Sequence, residues 1–143
     1  QRQMCIRDRL YTAKPMEYTE PKTAEMLTKH AVELAVVESN NGGRGFARNV
    51  EKQARLMGNN KTRIKWFHQS QNKAVRIFTH SAEVQNLTYF PRGWAQMWPD
   101  FYQALTHYMK VGKNAHDDAP DALTGTVEQR PITGKKSAAG YFA

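Results

Sequence analysis

The run Leu34-Ala35-Val36-Val37 constrains this chain more than any other stretch. It is short, continuous and apolar, which predicts a strand buried on both faces of a parallel sheet. The run ends on a carboxylate, Glu38, and the chain then turns through Ser39-Asn40-Asn41-Gly42-Gly43-Arg44-Gly45. Beyond the turn, Phe46, Val50 and Ala54 recur every four residues, with Ala47 and Met57 beside them. That period predicts an amphipathic helix. Arg44, Arg48, Lys52 and Arg55 fall on its polar side, and Gly58 stands where a glycine commonly ends a helix. A buried strand, a tight turn and a helix open a βα unit. Open α/β sheets place their ligand sites beyond the carboxyl ends of the strands, which is where Glu38 stands.

The other elements extend this alternation. Thr19 is a helix cap with Glu20 and Pro21 in the first turn, and Ala24, Leu27 and Ala31 share one face. Ile64-Lys65-Trp66-Phe67-His68 has the β-branched and aromatic content of a strand. A third helix is predicted from about Asn72 to Val84, with Val75, Phe78 and Ala82 inward. Leu87-Thr88-Tyr89-Phe90 reads as a brief strand closed by Pro91. Pro99 opens a helix in which Phe101, Leu105 and Tyr108 share a face and Gly112 ends the segment, beside a cluster of Trp94, Met97 and Trp98. A last helix spans Asp117 to about Gln129. Strands alternating with helices predict an α/β layered domain with a mainly parallel sheet. Residues 1–9 mix charges without a period and read as a non-native or disordered segment; Leu10–Ala13 reads as the end of a strand; 10–130 forms the domain; 131–143 is a basic flexible tail. Little strand precedes the first helix, so the fold is expected to lack its first one or two strands.

A length of 143 residues predicts one domain. The formal charge of +8 points to a polyanionic partner, nucleic acid before an acidic membrane surface, with plain solubility as the alternative. One cysteine, Cys5, excludes an internal disulfide framework and a cysteine-based zinc site. No apolar run reaches membrane-spanning length and no secretory signal is visible, so no membrane is expected as a partner and an intracellular protein is.

In so basic a chain, carboxylates concentrated at two places suggest reserved cation sites. Glu38 is the first; its alternatives are a cap on the following helix or a pair with Arg44 or Arg48. Gly42, Gly43 and Gly45 belong to the parts of an anion cradle, yet neither phosphate-loop signature is present, and turn geometry explains them equally. Gly134-Lys135-Lys136-Ser137 has no preceding strand and is not a phosphate loop. The second place is His116-Asp117-Asp118-Ala119-Pro120-Asp121. On a helix, Asp118 and Asp121 share a face with Cβ atoms about 5–6 Å apart, and Asp117 lies one turn from Asp121. Carboxylates that close repel unless a cation intervenes; the alternative is an acid-rich helix start favoured by the macrodipole. His116 adjoins this cluster and is placed to orient a carboxylate or a phosphate, whereas His30, His68, His80 and His107 read as surface or partly packed residues. Trp66, Phe67 and Tyr89 are candidates for base stacking, with core packing the favoured reading.

Val37-Glu38-Ser39-Asn40-Asn41-Gly42-Gly43 with Gly45-Phe46-Ala47-Arg48 resembles the second acidic motif of the large terminase subunit of tailed bacteriophages. Lys113-Asn114-Ala115-His116-Asp117-Asp118-Ala119-Pro120-Asp121-Ala122-Leu123-Thr124-Gly125 resembles the third. The likeness runs from about Leu10 to Gln129. It implies an RNase H-like nuclease fold, and a host-cell cytoplasmic phage protein that cuts double-stranded concatemeric DNA. It also implies, in the full protein, an ATPase motor, a small terminase subunit and a portal as partners. By resemblance, two divalent ions, Mg²⁺ with Mn²⁺ as substitute, are held by Glu38, Asp118 and Asp121, with Asp117 and His116 flanking. Arg44, Arg48, Lys52 and His116 would contact DNA, and the Gly42-Gly43 turn would give the duplex clearance. Two departures from the family pattern stand out. No ATPase signature is present, and the first acidic motif is missing: Asp8 is the only acid near the start and no strand is predicted around it. An inactive DNA-binding module, or another RNase H-like nuclease such as a junction resolvase, therefore stand as alternatives.

Overall fold

The computed structural model describes residues 3–130 and 139–142. In chain order the elements are β1 (Met4–Cys5), α1 (Met16–Lys29), β2 (Leu34–Glu38), a 3-10 turn (Asn40–Gly42), α2 (Gly43–Leu56), β3 (Arg63–Phe67), α3 (Lys73–Leu87), β4 (Thr88–Tyr89), α4 (Trp94–Met97), α5 (Pro99–Thr106), α6 (Asp118–Glu128) and β5 (Ala139–Phe142). The fold is mixed α/β with parallel pairing throughout the described strands. These strands form two small sheets rather than one. The chain packs as two compact units: Thr12–Ser70 with the chain end, and the first residues to Tyr11 with Gln71–Arg130.

The unit containing Thr12–Ser70 holds a three-stranded sheet in the order β3-β2-β5. β2 and β3 pair in register from Leu34 with Arg63 to Glu38 with Phe67, and α2 makes the crossover between them. Ala35, Val36 and Val37 are all buried, as a strand covered on both faces requires. Ala24, Leu27, Ala35, Val50 and Ala54 form the core, with Val32, Phe46 and Ile64 packed against it. The small alanines let α1 and α2 lie close to each other and to the sheet. α1 starts at Met16, earlier than the Thr19 cap predicts, with Pro15 as its cap and Pro21 inside it. Gly58 takes φ of 79°, the left-handed turn past the end of α2 that only glycine adopts without strain. Asn59 Oδ1 then accepts from the backbone of Lys61 and Thr62, and buried Thr62 donates to the Val32 carbonyl at 2.6 Å.

Two expectations about the chain ends are corrected. Part of the segment expected as a flexible tail forms β5, which pairs parallel to β2 from Ala139 with Leu34 to Phe142 with Val37; residues 131–138 of that tail lie outside the described residues. The segment 1–9, expected outside the fold, supplies β1. It pairs parallel to β4, and Ile6 N–H donates to the Tyr89 carbonyl at 2.8 Å. Its hydrogen bonds and the Ile6 contact lie more than eighty positions away in sequence, so no local period announces them. Leu10–Ala13 forms no strand.

The core of the unit containing Gln71–Arg130 is aromatic. Trp98, Phe101 and Ala119 are buried among Ile6, Tyr11, Phe90, Trp94, Ala104 and Leu105. Phe90 stacks on Trp94 at 4.0 Å between centroids, and Tyr11 meets Phe101 edge-on at 5.6 Å. Met97, expected in this cluster, is half exposed. The largest correction concerns α3. Val75 and Phe78 were expected inward, yet they are 61% and 53% exposed, while Arg76 and Ile77 are buried. The helix is rotated by about one residue from its apolar period, because Arg76 turns in to meet acids on α6.

Candidate metal and nucleic acid sites

Glu38 ends β2 and is half-buried. The residues after it are tied to the end of β3. Ser39 N–H and Oγ each donate to the Phe67 carbonyl at 2.8 Å. Asn40 Nδ2 donates to the Gln69 carbonyl at 2.7 Å, and Asn40 Oδ1 accepts from Gln69 N–H at 3.2 Å. The turn continues through Asn41, at a positive φ of 50°, and Gly42, at 92°. A Cβ on Gly43 would collide with the Glu38 carbonyl. Gly43 thus provides clearance for the chain's own backbone, the one contact that accounts for it. Neither alternative for Glu38 is realised. α2 is capped by Gly42 without a side-chain bond. Among the described residues, no ion pair joins Glu38 to Arg44 or Arg48.

Asp117, Asp118 and Asp121 lie in the other unit, at the start of α6. Asp117 is the cap residue, Asp118 opens the helix and Asp121 follows in its first turn. Ala119, Pro120, Leu123 and Val127 are buried and fix the helix against its neighbours. α3 enters opposite, capped by Asn72 Oδ1 accepting from Val75 N–H at 3.2 Å. Lys73, in its first turn, places its ammonium 3.2 Å from Asp117, 3.0 Å from Asp118 and 3.5 Å from Asp121. One turn on, Arg76 donates through Nη1 to Asp121 at 2.8 Å and through Nη2 to Glu128 at 2.6 Å. A further turn brings His80, 3.5 Å from Glu128 and 3.4 Å from Glu83. Glu83 also pairs with Arg130 at 2.8 Å.

The interface of α3 and α6 is therefore a ladder of charge. Sequence reasoning found the acidic side and missed Lys73, Arg76 and His80. The signal was present: these three stand at i, i+3 and i+7, one helix face, opposite Asp121 and Glu128 at i and i+7. Reading only apolar periods hid it.

The electrostatics follow from burial. Desolvation raises the Asp121 pKa above its ordinary 3.8, and the nearby Arg76 and Lys73 charges oppose that rise. Burial works against the Lys73 charge, but hydrogen bonds to Asp118 and Asp117 outweigh it, and its pKa is pushed above the usual lysine range. Burial also raises the Tyr11 pKa, with the charges of Asp118, Asp100 and Asp117 adding to it. Asp118 is the most accessible of the three aspartates, its side chain 76% exposed. His116 is exposed. Asp8 follows β1 closely and accepts from Arg9 N–H at 2.9 Å, so a strand does precede it.

The donor chemistry of the cluster suits Mg²⁺ or Mn²⁺, since all its ligating atoms are carboxylate oxygens. Lys73 already supplies a cation to the same oxygens. Among the described residues no group of three or more His, Cys, Asp or Glu side chains is arranged to hold a metal ion.

Arg44, Arg48 and Lys52 lie at four-residue intervals on the exposed face of α2. The Arg44 guanidinium stands over the Trp66 ring, 5.8 Å from its centroid. Trp66 and Tyr89, expected in the core, are 41% and 47% exposed. No helix among the described residues is long and apolar enough to cross a membrane. Comparison of the chain with protein-family models, curated proteins and solved structures finds no match.

Proposed function

We propose that the chain is a metal-dependent endonuclease domain of RNase H-like fold, from the large subunit of a phage DNA-packaging terminase. The observation that carries the proposal is the gathering of Asp117, Asp118 and Asp121 at one helix start, each within 3.5 Å of the Lys73 ammonium. The termination of a buried parallel strand on Glu38 supports it. In this reading Glu38, Asp118 and Asp121 hold two divalent ions, with Asp117 flanking. Mg²⁺ or Mn²⁺, when bound, would supply activation of water and stabilisation of the leaving oxygen of a phosphodiester. Arg44, Arg48 and Lys52 bind DNA phosphates, and His116 orients a phosphate or a carboxylate. Double-stranded DNA is the substrate. The ATPase motor, small terminase subunit and portal are partners of the full protein, in the host cytoplasm.

Lys73 favours a second reading, in which the chain binds DNA without cutting it. An ammonium within 3.5 Å of all three aspartates, with Arg76 on Asp121, offsets part of their charge and lowers the demand for a metal. Incubation with supercoiled plasmid and Mn²⁺ or Mg²⁺ separates the two. Nicking that is lost in Glu38→Ala and in Asp118→Ala supports the nuclease, and nicking that survives both removes these residues from the mechanism. Salt-dependent binding with no cleavage in either metal supports the second reading.

A further inference from the structure

Trp66 is out of place for a strand tryptophan. It lies on β3, an edge strand paired only with β2 among the described strands. Ile64, two positions earlier and on the same face, packs against the core beneath α2. Trp66 continues that face past the point where the core ends. Its strand partner Val37 is 5% exposed, while Trp66 itself is 41% exposed. Leaving that much aromatic surface in water forgoes burial free energy that a core position would recover. The ring is also not bare, because the Arg44 guanidinium covers part of it. Arg44 begins a stripe continued by Arg48 and Lys52, successive positions about 6 Å apart along the helix axis. Arg55, just past the stripe, is paired with Glu51. Among the described residues, none of Arg44, Arg48 and Lys52 is paired with a carboxylate.

We propose that Trp66, Arg44, Arg48 and Lys52 form a single-strand nucleic-acid site, with an unpaired base stacked on Trp66 and its phosphates on the α2 cations. The inference rests on the DNA-binding part of the function proposed above and is independent of hydrolysis. An aromatic face takes up bases that are free to stack, whereas the bases of a duplex are already stacked on each other. The cations alone would serve duplex and single strand alike. The exposed tryptophan decides between them, and it also separates this surface from one that merely attracts acidic protein.

The test measures binding of the whole chain to a labelled oligothymidine and to a blunt duplex of equal length, in EDTA, at two salt concentrations. Trp66→Leu is expected to weaken oligothymidine binding about 5- to 100-fold, the range of one lost base stack. Duplex binding should stay within about threefold, and Trp66→Phe should keep most of the single-strand affinity. The pair Arg48→Ala with Lys52→Ala should weaken both ligands and reduce the single-strand salt slope by roughly 1.4. Unchanged oligothymidine binding in Trp66→Leu overturns the inference, as does an equal loss on both ligands or in both Trp66 variants. If that happens while plasmid nicking still depends on Glu38, the nuclease stands and only the stacking site falls. If Trp66 governs single-strand binding while nicking ignores Glu38, the stacking site stands and the nuclease falls.

Discussion

Arg76→Met is expected to destabilise the chain by about 3–5 kcal/mol at neutral pH, the range for breaking a buried ion pair from one side. The geometry places Arg76 at the strong end of such effects. Its side chain is 2% exposed, and those of its partners Asp121 and Glu128 are 11% and 14% exposed. It donates Nε to both Glu128 oxygens at 3.0 and 3.2 Å, Nη2 to Glu128 at 2.6 Å and Nη1 to Asp121 at 2.8 Å. The same contacts at the surface would contribute less than about 1 kcal/mol. Removal takes from two largely buried carboxylates the guanidinium that joins them, with little water to replace it. The pH dependence has a definite sign. Asp121 has a folded pKa above 3.8, because burial opposes its charge. An acid raised in this way contributes its stability below pH 3.8 and loses it as pH rises through the folded value. Without the Arg76 charge the folded pKa rises further and the loss grows. The deficit of the variant should therefore be large at pH 7 and shrink near pH 4. Urea unfolding at both values measures it. Neutralising the partners as well, in Arg76→Met with Asp121→Asn and Glu128→Gln, should recover most of the deficit. A deficit below about 1 kcal/mol at pH 7, or one independent of pH, would refute a buried and mutually dependent network.

Two glycines of one turn should respond oppositely in thermal melts. Gly43→Ala drives a Cβ into the Glu38 carbonyl and should cost about 3 kcal/mol, whereas Gly45→Ala meets nothing within 4 Å and should stabilise α2 by about 0.5–1 kcal/mol. Equal responses would mean that close approach does not select Gly43. Lys73→Met removes the cation shared by three aspartates, and since that side chain is 39% exposed, the cost after solvent screening is about 1 kcal/mol. The pKa of Lys73 is raised, so its contribution is complete below 10.5 and is lost as pH rises through the higher folded value. Melts of the parent and variant should therefore differ at neutral pH and converge at strongly alkaline pH, and also in acid where the partner aspartates protonate.

The local elements were legible in sequence because their causes are local. An apolar run closed by Glu38, a period of four in α2 and a glycine past its end need no distant partner to be recognised. Asp117, Asp118 and Asp121 were legible for the same reason, since helical spacing alone puts them within one turn. What surrounds them was not. Lys73 and Arg76 meet these acids from more than forty positions away, and an inward arginine overrode the apolar period that would have buried Val75 and Phe78. β1 and β5 escaped notice because two to four residues carry no period, and their hydrogen bonds exist only once β4 and β2 are in place. The turn after Glu38 shows the division most clearly. Sequence alone determined that glycines follow the strand. Tertiary structure decided which of them must clear a neighbour, because steric exclusion at Gly43 depends on where the Glu38 carbonyl lies in space.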